Sequence, residues 1–258
     1  MQMNRRDALK ITAAWAAAAT FMPFAARAGG HGDMYEAEGG EIGIHPVDHA
    51  SFVMTTPLGT IYNDPVGGAE KYADMPAADL VLITHEHGDH FNLDTLNGVV
   101  GEGTMLLTNP SVYEKLPEAL KAKAQMIGNG ETTEMMGVGI EAIPAYNLTE
   151  ERKKFHPKGR DNGYVLTLAG MRIYIAGDTE DIPEMRALKD IDMAFVPMNL
   201  PYTMDPIAAA GGVAAFAPKV VYPYHYRDQD PKEFAAKLAE LGAGSEVKYG
   251  AWYGEQHA

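Results

Sequence analysis

The chain has 258 residues, with 21 Lys plus Arg against 35 Asp plus Glu and no cysteine. A formal charge of −14 argues against nucleic acid as a partner, although a local basic pocket could still take a single phosphate. Without thiols the fold cannot rest on disulfides, and any metal centre must be built from His, Asp and Glu.

The first residues read as a targeting segment. Asn4-Arg5-Arg6-Asp7-Ala8-Leu9-Lys10 is a twin-arginine pattern, an alanine-rich run follows over Ile11–Ala26, and Ala26-Arg27-Ala28 offers small residues for cleavage. Residues 1–28 are therefore expected to be a twin-arginine signal peptide that engages the matching export machinery. The remainder is then periplasmic or secreted. The apolar run is too short and too rich in alanine for stable membrane insertion. Residues 29–40, rich in Gly and charge, are expected to be a flexible connector, and 41–258 a single domain.

Short strands are predicted at Glu41–His45, Ser51–Thr56 and Thr60–Asn63, the last two turned by Pro57-Leu58-Gly59. A short helix near Gly68–Met75 precedes Asp79–Thr84, a continuous apolar run of the kind a buried strand shows. Next come a helix over Leu93–Val100, a strand over Thr104–Thr108, and a helix capped by Ser111 that runs to Ala122. Strands follow at Ala124–Ile127, Thr132–Met136 and Gly139–Ile143. The irregular stretch 145–161 is long enough to be a functional loop. The second half resumes with strands at Gly163–Ala169, Met171–Ala176, Asp192–Val196 and Lys219–Tyr224. Its helices fit Ile182–Leu188, Pro206–Phe216 and Pro231–Leu241, the last two opened by Asp-Pro pairs that read as N-cap and first turn. Hairpins followed by strand–helix alternation, twice over, predict two facing sheets with helices outside.

The sharpest chemical signal is Thr84-His85-Glu86-His87-Gly88-Asp89-His90, directly after the buried strand. Imidazole and carboxylate are what a divalent ion takes when no thiolate is available. A strand end fixes the first donor, and the loop behind it can fold the others around one point. A run of capping residues would be served as well by Ser or Asn, so a metal site is the better reading.

With H-x-H-x-D-H in place, the chain resembles the metallo-β-lactamase superfamily. Ile175-Ala176-Gly177-Asp178-Thr179, Tyr222-Pro223-Tyr224-His225-Tyr226 and Asn63-Asp64-Pro65 stand in the order that family shows. His49-Ala50-Ser51-Phe52 and the Gly-Asp-Thr element look closest to the branch holding ascorbate-6-phosphate lactonase and N-acylphosphatidylethanolamine phospholipase D. The resemblance implies an α/β fold, the four-layer αββα sandwich, with its site at one edge of the two sheets. It also implies two divalent metal ions, zinc first, with manganese or iron as alternatives. His85 and His87 would hold one, Asp89, His90 and His225 the other, and Asp178 would bridge them.

The remaining ligand of the first ion is open. His156, the only histidine between His90 and Asp178, is either that ligand or a substrate-contacting or surface residue. Asp64 is either a partner for a metal-bound imidazole or an ordinary turn residue before Pro65. His49 reads as a structural imidazole rather than a ligand. Lys158 and Arg160 are candidate anchors for an anionic substrate, and Asn147 and Tyr202 candidate contacts.

The implied chemistry is hydrolysis by a metal-bridging hydroxide, with Asp178 and Asp89 as catalytic carboxylates and Asp89 orienting the nucleophile or passing a proton. The expected substrate is a small molecule carrying a phosphoester, phosphodiester or lactone. The Gly-His-Thr element usual in glyoxalases, homoserine-lactone lactonases and classical lactamases is absent. The alternatives are a metal-binding scaffold with little hydrolysis and a di-iron redox protein.

Overall fold

The computed structural model describes residues 32–254. The expected leader and the terminal residues His31 and His257 lie outside the described residues. One sheet runs in chain order through β1 (Asp33–Ala37), β2 (Gly40–Asp48), β3 (Ser51–Thr56), β4 (Gly59–Asn63), β5 (Leu80–Ile83), β6 (Met105–Thr108) and β7 (Ala124–Met126). The other runs through β8 (Thr132–Met135), β9 (Val138–Ala145), β10 (Asp161–Leu168), β11 (Met171–Ile175), β12 (Met193–Pro197), β13 (Val220–Tyr224) and β14 (Glu246–Val247). Each sheet begins with antiparallel hairpins and turns parallel at its fourth strand, β4 onto β5 and β11 onto β12.

Side-chain alternation sets the layers. In β5, Leu80 and Leu82 enter the core shared with the second sheet, while Val81 and Ile83 pack with Leu96, Val112, Leu116 and Leu120 on the other face. Both faces are covered, so the strand reads as an unbroken apolar run. Phe52 stacks on Phe195 at 4.2 Å between ring centres, joining β3 to β12 across the middle layer. The outer helices of the first sheet are α1 (Leu93–Val99), α2 (Pro110–Lys115) and α3 (Glu118–Lys121). Those of the second are α4 (Pro183–Arg186), α5 (Pro206–Phe216) and α6 (Pro231–Glu240), with Phe216 set edge-on to Tyr174 of β11. The result is the expected sandwich of helices, two sheets and helices. Among the described residues, no helix is long and apolar enough to cross a membrane.

Two expectations need correction. Residues 29–40 are not a connector throughout, because Asp33–Ala37 pairs antiparallel with β2. It is an edge strand whose charged, half-exposed residues disguise it, as edge strands often are. The helix expected from Ser111 to Ala122 starts earlier and breaks. Asn109 is the cap, its side chain accepting from the Val112 amide at 2.9 Å, and the chain kinks at Leu116-Pro117. Proline lacks the N–H and pushes the preceding residue out of the helical region. Asp205 and Asp230 do cap α5 and α6, each ahead of a proline in the first turn.

Gly163 permits a close approach that the site depends on. A Cβ there would lie 2.6 Å from the carbonyl oxygen of Ala176 and 2.8 Å from that of Ile175. Gly177 follows with φ of 64°, and a Cβ there would meet the Asn162 carbonyl at 2.8 Å. Together they let β10 and the end of β11 close up just before Asp178. Gly163→Ala is expected to destabilise the fold by roughly 1–3 kcal/mol, the usual cost of overpacking. Urea unfolding checks this, and an unchanged midpoint contradicts it.

Candidate metal centre

The centre is assembled at the C-terminal ends of strands from both sheets, where the hairpin halves give way to parallel strands. Such switch points are where open α/β sheets leave room for a ligand. Asp64 follows β4, Thr84 and His85 follow β5, Asp178 follows β11 and His225 follows β13. His49, Asp64 and His225 all take left-handed backbone, with φ of 46°, 43° and 50°. Non-glycine residues are costly there, and such outliers gather at functional sites.

Hydrogen bonds fix which ring nitrogen each histidine presents. The Asp64 carboxylate, fully buried, lies 2.8 Å from His90 Nδ1 and accepts its N–H. Asp64 also accepts from the Thr84 amide at 2.8 Å and from the Thr84 hydroxyl at 2.7 Å. With its own hydrogen used, Thr84 Oγ1 accepts from His85 Nδ1 at 3.0 Å. One aspartate therefore aims two imidazoles, His90 directly and His85 through Thr84. On the other sheet His156 Nδ1 donates to Asp161 at 2.9 Å, and Asp161 is clamped by the Arg160 guanidinium at 2.6 and 2.9 Å. Carboxylate–histidine pairs of this kind orient metal-binding imidazoles and raise their basicity.

The free nitrogens converge on Asp178. Nε2 of His90 lies 3.3 Å from Asp178 Oδ1, and Nε2 of His156 and of His225 each lie 3.3 Å from Oδ2. None of these ring nitrogens makes a hydrogen bond, although all are buried. Ligands about 2.0–2.1 Å from one tetrahedral ion stand about 3.3–3.4 Å from each other, so the spacing is that of donors around a shared cation. Among the described residues, three sets of donor atoms close to within 4.8 Å: His85, His87 and His156; His85, His90 and Asp178; and His49, Asp89 and His225. The donor set fits divalent ions, with imidazole and carboxylate only.

Electrostatics agree with that fit. Burial raises the carboxyl pKa of Asp178, but the imidazoles of His225, His90 and His156 outweigh it and hold the group well below the usual range. Burial lowers His90, yet Asp178 and Asp64 carry it well above an ordinary histidine. Burial likewise lowers His156, and Asp161 and Asp178 again reverse the effect. His85 goes the other way, pushed well below by burial and by the neighbouring His90. A divalent cation would take the place of the protons that Asp178 draws onto its neighbours.

Residues 146–160 carry His156, which is fully buried although no strand directly precedes it. The loop is stapled from within and from outside. The Asn147 amide donates to the carbonyl of His156 at 2.9 Å, and its side chain donates to the carbonyls of Arg152 and Tyr202. Glu180, two residues past Asp178, accepts from the amides of Leu148 and Thr149 at 2.7 Å and from Arg152 at 2.8 Å. Burial opposes ionisation of Glu180, but these donors win and lower its pKa. The sign follows: a carboxylate lowered by folding stabilises above its unfolded pKa of about 4.3, and the contribution is lost as pH falls through the folded value. Glu180→Gln is expected to raise hydrogen exchange in 146–160 at neutral pH, and acid is expected to do the same to the wild type. Equal exchange in the variant counts against the staple.

The expected substrate contacts each have protein partners of their own. Lys158 holds Glu184 at 3.0 Å and the Tyr146 hydroxyl at 3.1 Å, partners outside the donor sets. Arg160 spends its guanidinium on Asp161 and the Phe155 carbonyl, with one nitrogen 3.3 Å from His87 Nε2. Asn147 is buried and ties the loop together. Tyr202 is exposed and packs edge-on against Phe155.

The family model of the Beta-lactamase superfamily domain matches residues 43–225, which spans the site from the strand before His49 to His225. A UPF0173 metal-dependent hydrolase from Methanopyrus kandleri is 32% identical over 219 residues, covering 77% of this chain and 92% of the relative. The chain belongs to the UPF0173 metal-dependent hydrolases of the β-lactamase superfamily. Another member, from Thermococcus onnurineus, is 34% identical over 198 residues, or 72% of this chain and 87% of that protein. A provisionally named metal-dependent hydrolase from Parabacteroides distasonis has a crystal structure similar to this one, with TM-score 0.78 and 42% identity. The match covers 86% of this chain and 98% of that one. This UPF0173 chain is thus a metal-dependent hydrolase, and its His and Asp groups are its candidate metal-binding residues.

Sequence reasoning missed three contributors to the centre. Asp161 opens β10 and gives no motif signal. Tyr253, from the C-terminal segment, places its hydroxyl 2.6 Å from His49 Nδ1. His49 stands where a structural imidazole was expected, yet it faces Asp89 at 3.3 Å. Its cues are a histidine at a tight turn between two strands and its place in His49-Ala50-Ser51-Phe52.

Proposed function

We propose that this hydrolase cleaves an ester-type bond, a phosphoester, phosphodiester or lactone, in a small substrate of an exported compartment. The observation that carries the reading is the ring of three unpartnered imidazole nitrogens, each 3.3 Å from Asp178. In this reading His85, His87 and His156 would hold one ion and Asp89, His90 and His225 the other, with Asp178 serving both, and zinc would be preferred over manganese or iron. When bound, the pair supplies Lewis-acid polarisation of the scissile group and a water acidified toward neutral pH. Asp178 keeps its charge in a buried position and compensates the cations. Asp89, whose side chain is 38% exposed, borders solvent and can orient a water or receive its proton. Asp64 and Asp161 keep the imidazoles in the required tautomers. No serine or cysteine nucleophile is needed.

The His49-Ala50-Ser51-Phe52 and Gly177-Asp178-Thr179 elements support a place near the ascorbate-6-phosphate lactonase and N-acylphosphatidylethanolamine phospholipase D branch. The twin-arginine pattern supports export, with no nucleic-acid partner and no stable membrane insertion. The test is metal analysis of the purified protein with chromogenic phosphodiester, phosphomonoester, lactone and β-lactam substrates. About two equivalents of metal and chelator-sensitive turnover on an ester class are expected. Turnover on the β-lactam alone overturns the ester assignment, and bound metal with no turnover on any class favours the scaffold. Amino-terminal sequencing of the periplasmic protein is expected to begin at or after Gly29, and an intact Met1 contradicts export.

A further inference from the structure

His225 differs from the other histidines of the centre in what aims its ring. Nδ1 of His90 and of His156 is held by Asp64 and Asp161, and Nδ1 of His85 by Thr84. Among the described residues, neither ring nitrogen of His225 makes a hydrogen bond, although both are buried. Its Nε2 still lies 3.4 Å from Asp89 Oδ2 and 3.3 Å from Asp178 Oδ2, the donor spacing seen around the other imidazoles. With no side-chain partner, that aim depends on the backbone that carries the ring and on the His49 ring, whose centre is 3.8 Å away.

Both supports lead to one two-residue stretch, Trp252-Tyr253. His49, His225 and Arg227 take left-handed backbone, with φ of 46°, 50° and 41°. Non-glycine residues keep that conformation only where their surroundings over-determine it. The Trp252 carbonyl accepts the His49 amide at 3.1 Å, and the His49 carbonyl accepts the His225 amide at 3.0 Å. The Tyr253 hydroxyl oxygen accepts the amides of Tyr226 and Arg227 at 3.0 and 2.8 Å and lies 2.6 Å from His49 Nδ1. The stretch is itself anchored. Trp252 is 1% exposed, with its ring centre 6.1, 6.4 and 5.9 Å from those of Phe52, Phe195 and Tyr224, which come from both sheets. Gly250 lets the chain reach that place, because a Cβ there would lie 2.8 Å from the Pro46 ring and from the Trp252 indole.

We infer that Trp252 and Tyr253 are positioning residues for the second ion: they hold the His49 and His225 turns together, so that the His225 ring, with no hydrogen bond of its own, faces Asp89 and Asp178. Both lie beyond the family model, which ends at His225. Clamping of the backbone here takes the part that a carboxylate plays for His90 and His156. The hydrogen bonds that hold ligands of the first ion, from His85 to Thr84 and from His156 to Asp161, do not involve this stretch. The inference rests on the reading of His225 as a ligand of the second ion.

The test uses the full chain and three variants, Y253F, W252A and W252F, titrated with zinc against a competing chelator. Y253F removes the acceptor of the two amides and keeps the ring, while W252F keeps an aromatic anchor that W252A loses. Y253F and W252A are each expected to loosen one of the two ions about 10–100-fold, as for other residues that orient ligands, and to leave the other unchanged. W252F is expected to recover most of the W252A loss. In the metal-free protein, Y253F is expected to speed hydrogen exchange at the amides of Tyr226 and Arg227. A Y253F protein that binds both ions as wild type does overturns the inference. Equal weakening of both ions overturns it as well, because that marks a general loss of stability. If W252A does not fold, Y253F decides by the same outcomes. If wild type binds no divalent ion, the reading of the centre fails and the positioning role with it, whereas two ions indifferent to Y253F sink the positioning role alone.

Discussion

Asp178→Asn is expected to strip the protein of metal and to cut hydrolysis by about 10²–10⁴-fold, the several kcal/mol that a metal centre contributes to charge stabilisation. The substitution keeps the shape of the side chain and removes its charge. Three imidazoles then face a neutral amide at the position where each now lies 3.3 Å from a carboxylate oxygen. Asp178 no longer raises the pKa of His90 and His156, so those buried rings move toward neutrality and the fold is expected to survive. Circular dichroism should therefore be unchanged while elemental analysis falls. A variant that keeps both metal and turnover removes Asp178 from the centre.

The second large effect is expected at His156. His156→Ala should lower bound metal from about two equivalents to about one, with loss of most turnover. The vacated space sits beside His85 and His87, whose ring centres are 5.0 and 4.7 Å from that of His156. Asp161→Asn tests the same ligand indirectly. It removes the acceptor of the His156 Nδ1–H and the partner of Arg160, and should weaken the first ion about 10–100-fold without abolishing binding. Equilibrium dialysis with zinc separates the two results. If His156→Ala keeps full stoichiometry, the residue is a substrate contact or a structural histidine and not a ligand.

The contrast between Asp178 and His156 shows what the sequence makes visible. His85 to His90, Asp178 and His225 each follow a strand that apolar runs announce, so local pattern and position point the same way. The cap-and-proline starts of α5 and α6 are equally local. His156 instead depends on Asn147, Arg152 and Glu180 folding the loop back on itself, and those contacts link residues up to 55 positions apart. Asp161 reaches His156, and Tyr253 reaches His49, through hydrogen bonds that no periodicity records. β1 was read as a connector because an edge strand with one covered face can be nearly as polar as a linker. Lys158 and Arg160 were visible as charges, but their partners Glu184 and Asp161 were not.

The two sheets contribute unequal parts of one centre. The first carries His85, His87, Asp89 and His90 with the Asp64 brace, and the second carries His156, Asp178 and His225. During synthesis the first four donors leave the ribosome before their counterparts, and His225 comes last of the set. Tight metal uptake is thus expected only once both sheets have been made. Ions held between the sheets would also favour the native state by RT ln(1 + [L]/Kd), about 4 kcal/mol when free metal is 1,000 times Kd. The melting temperature should accordingly rise with free metal concentration, and a chain released before β13 should gain nothing from it.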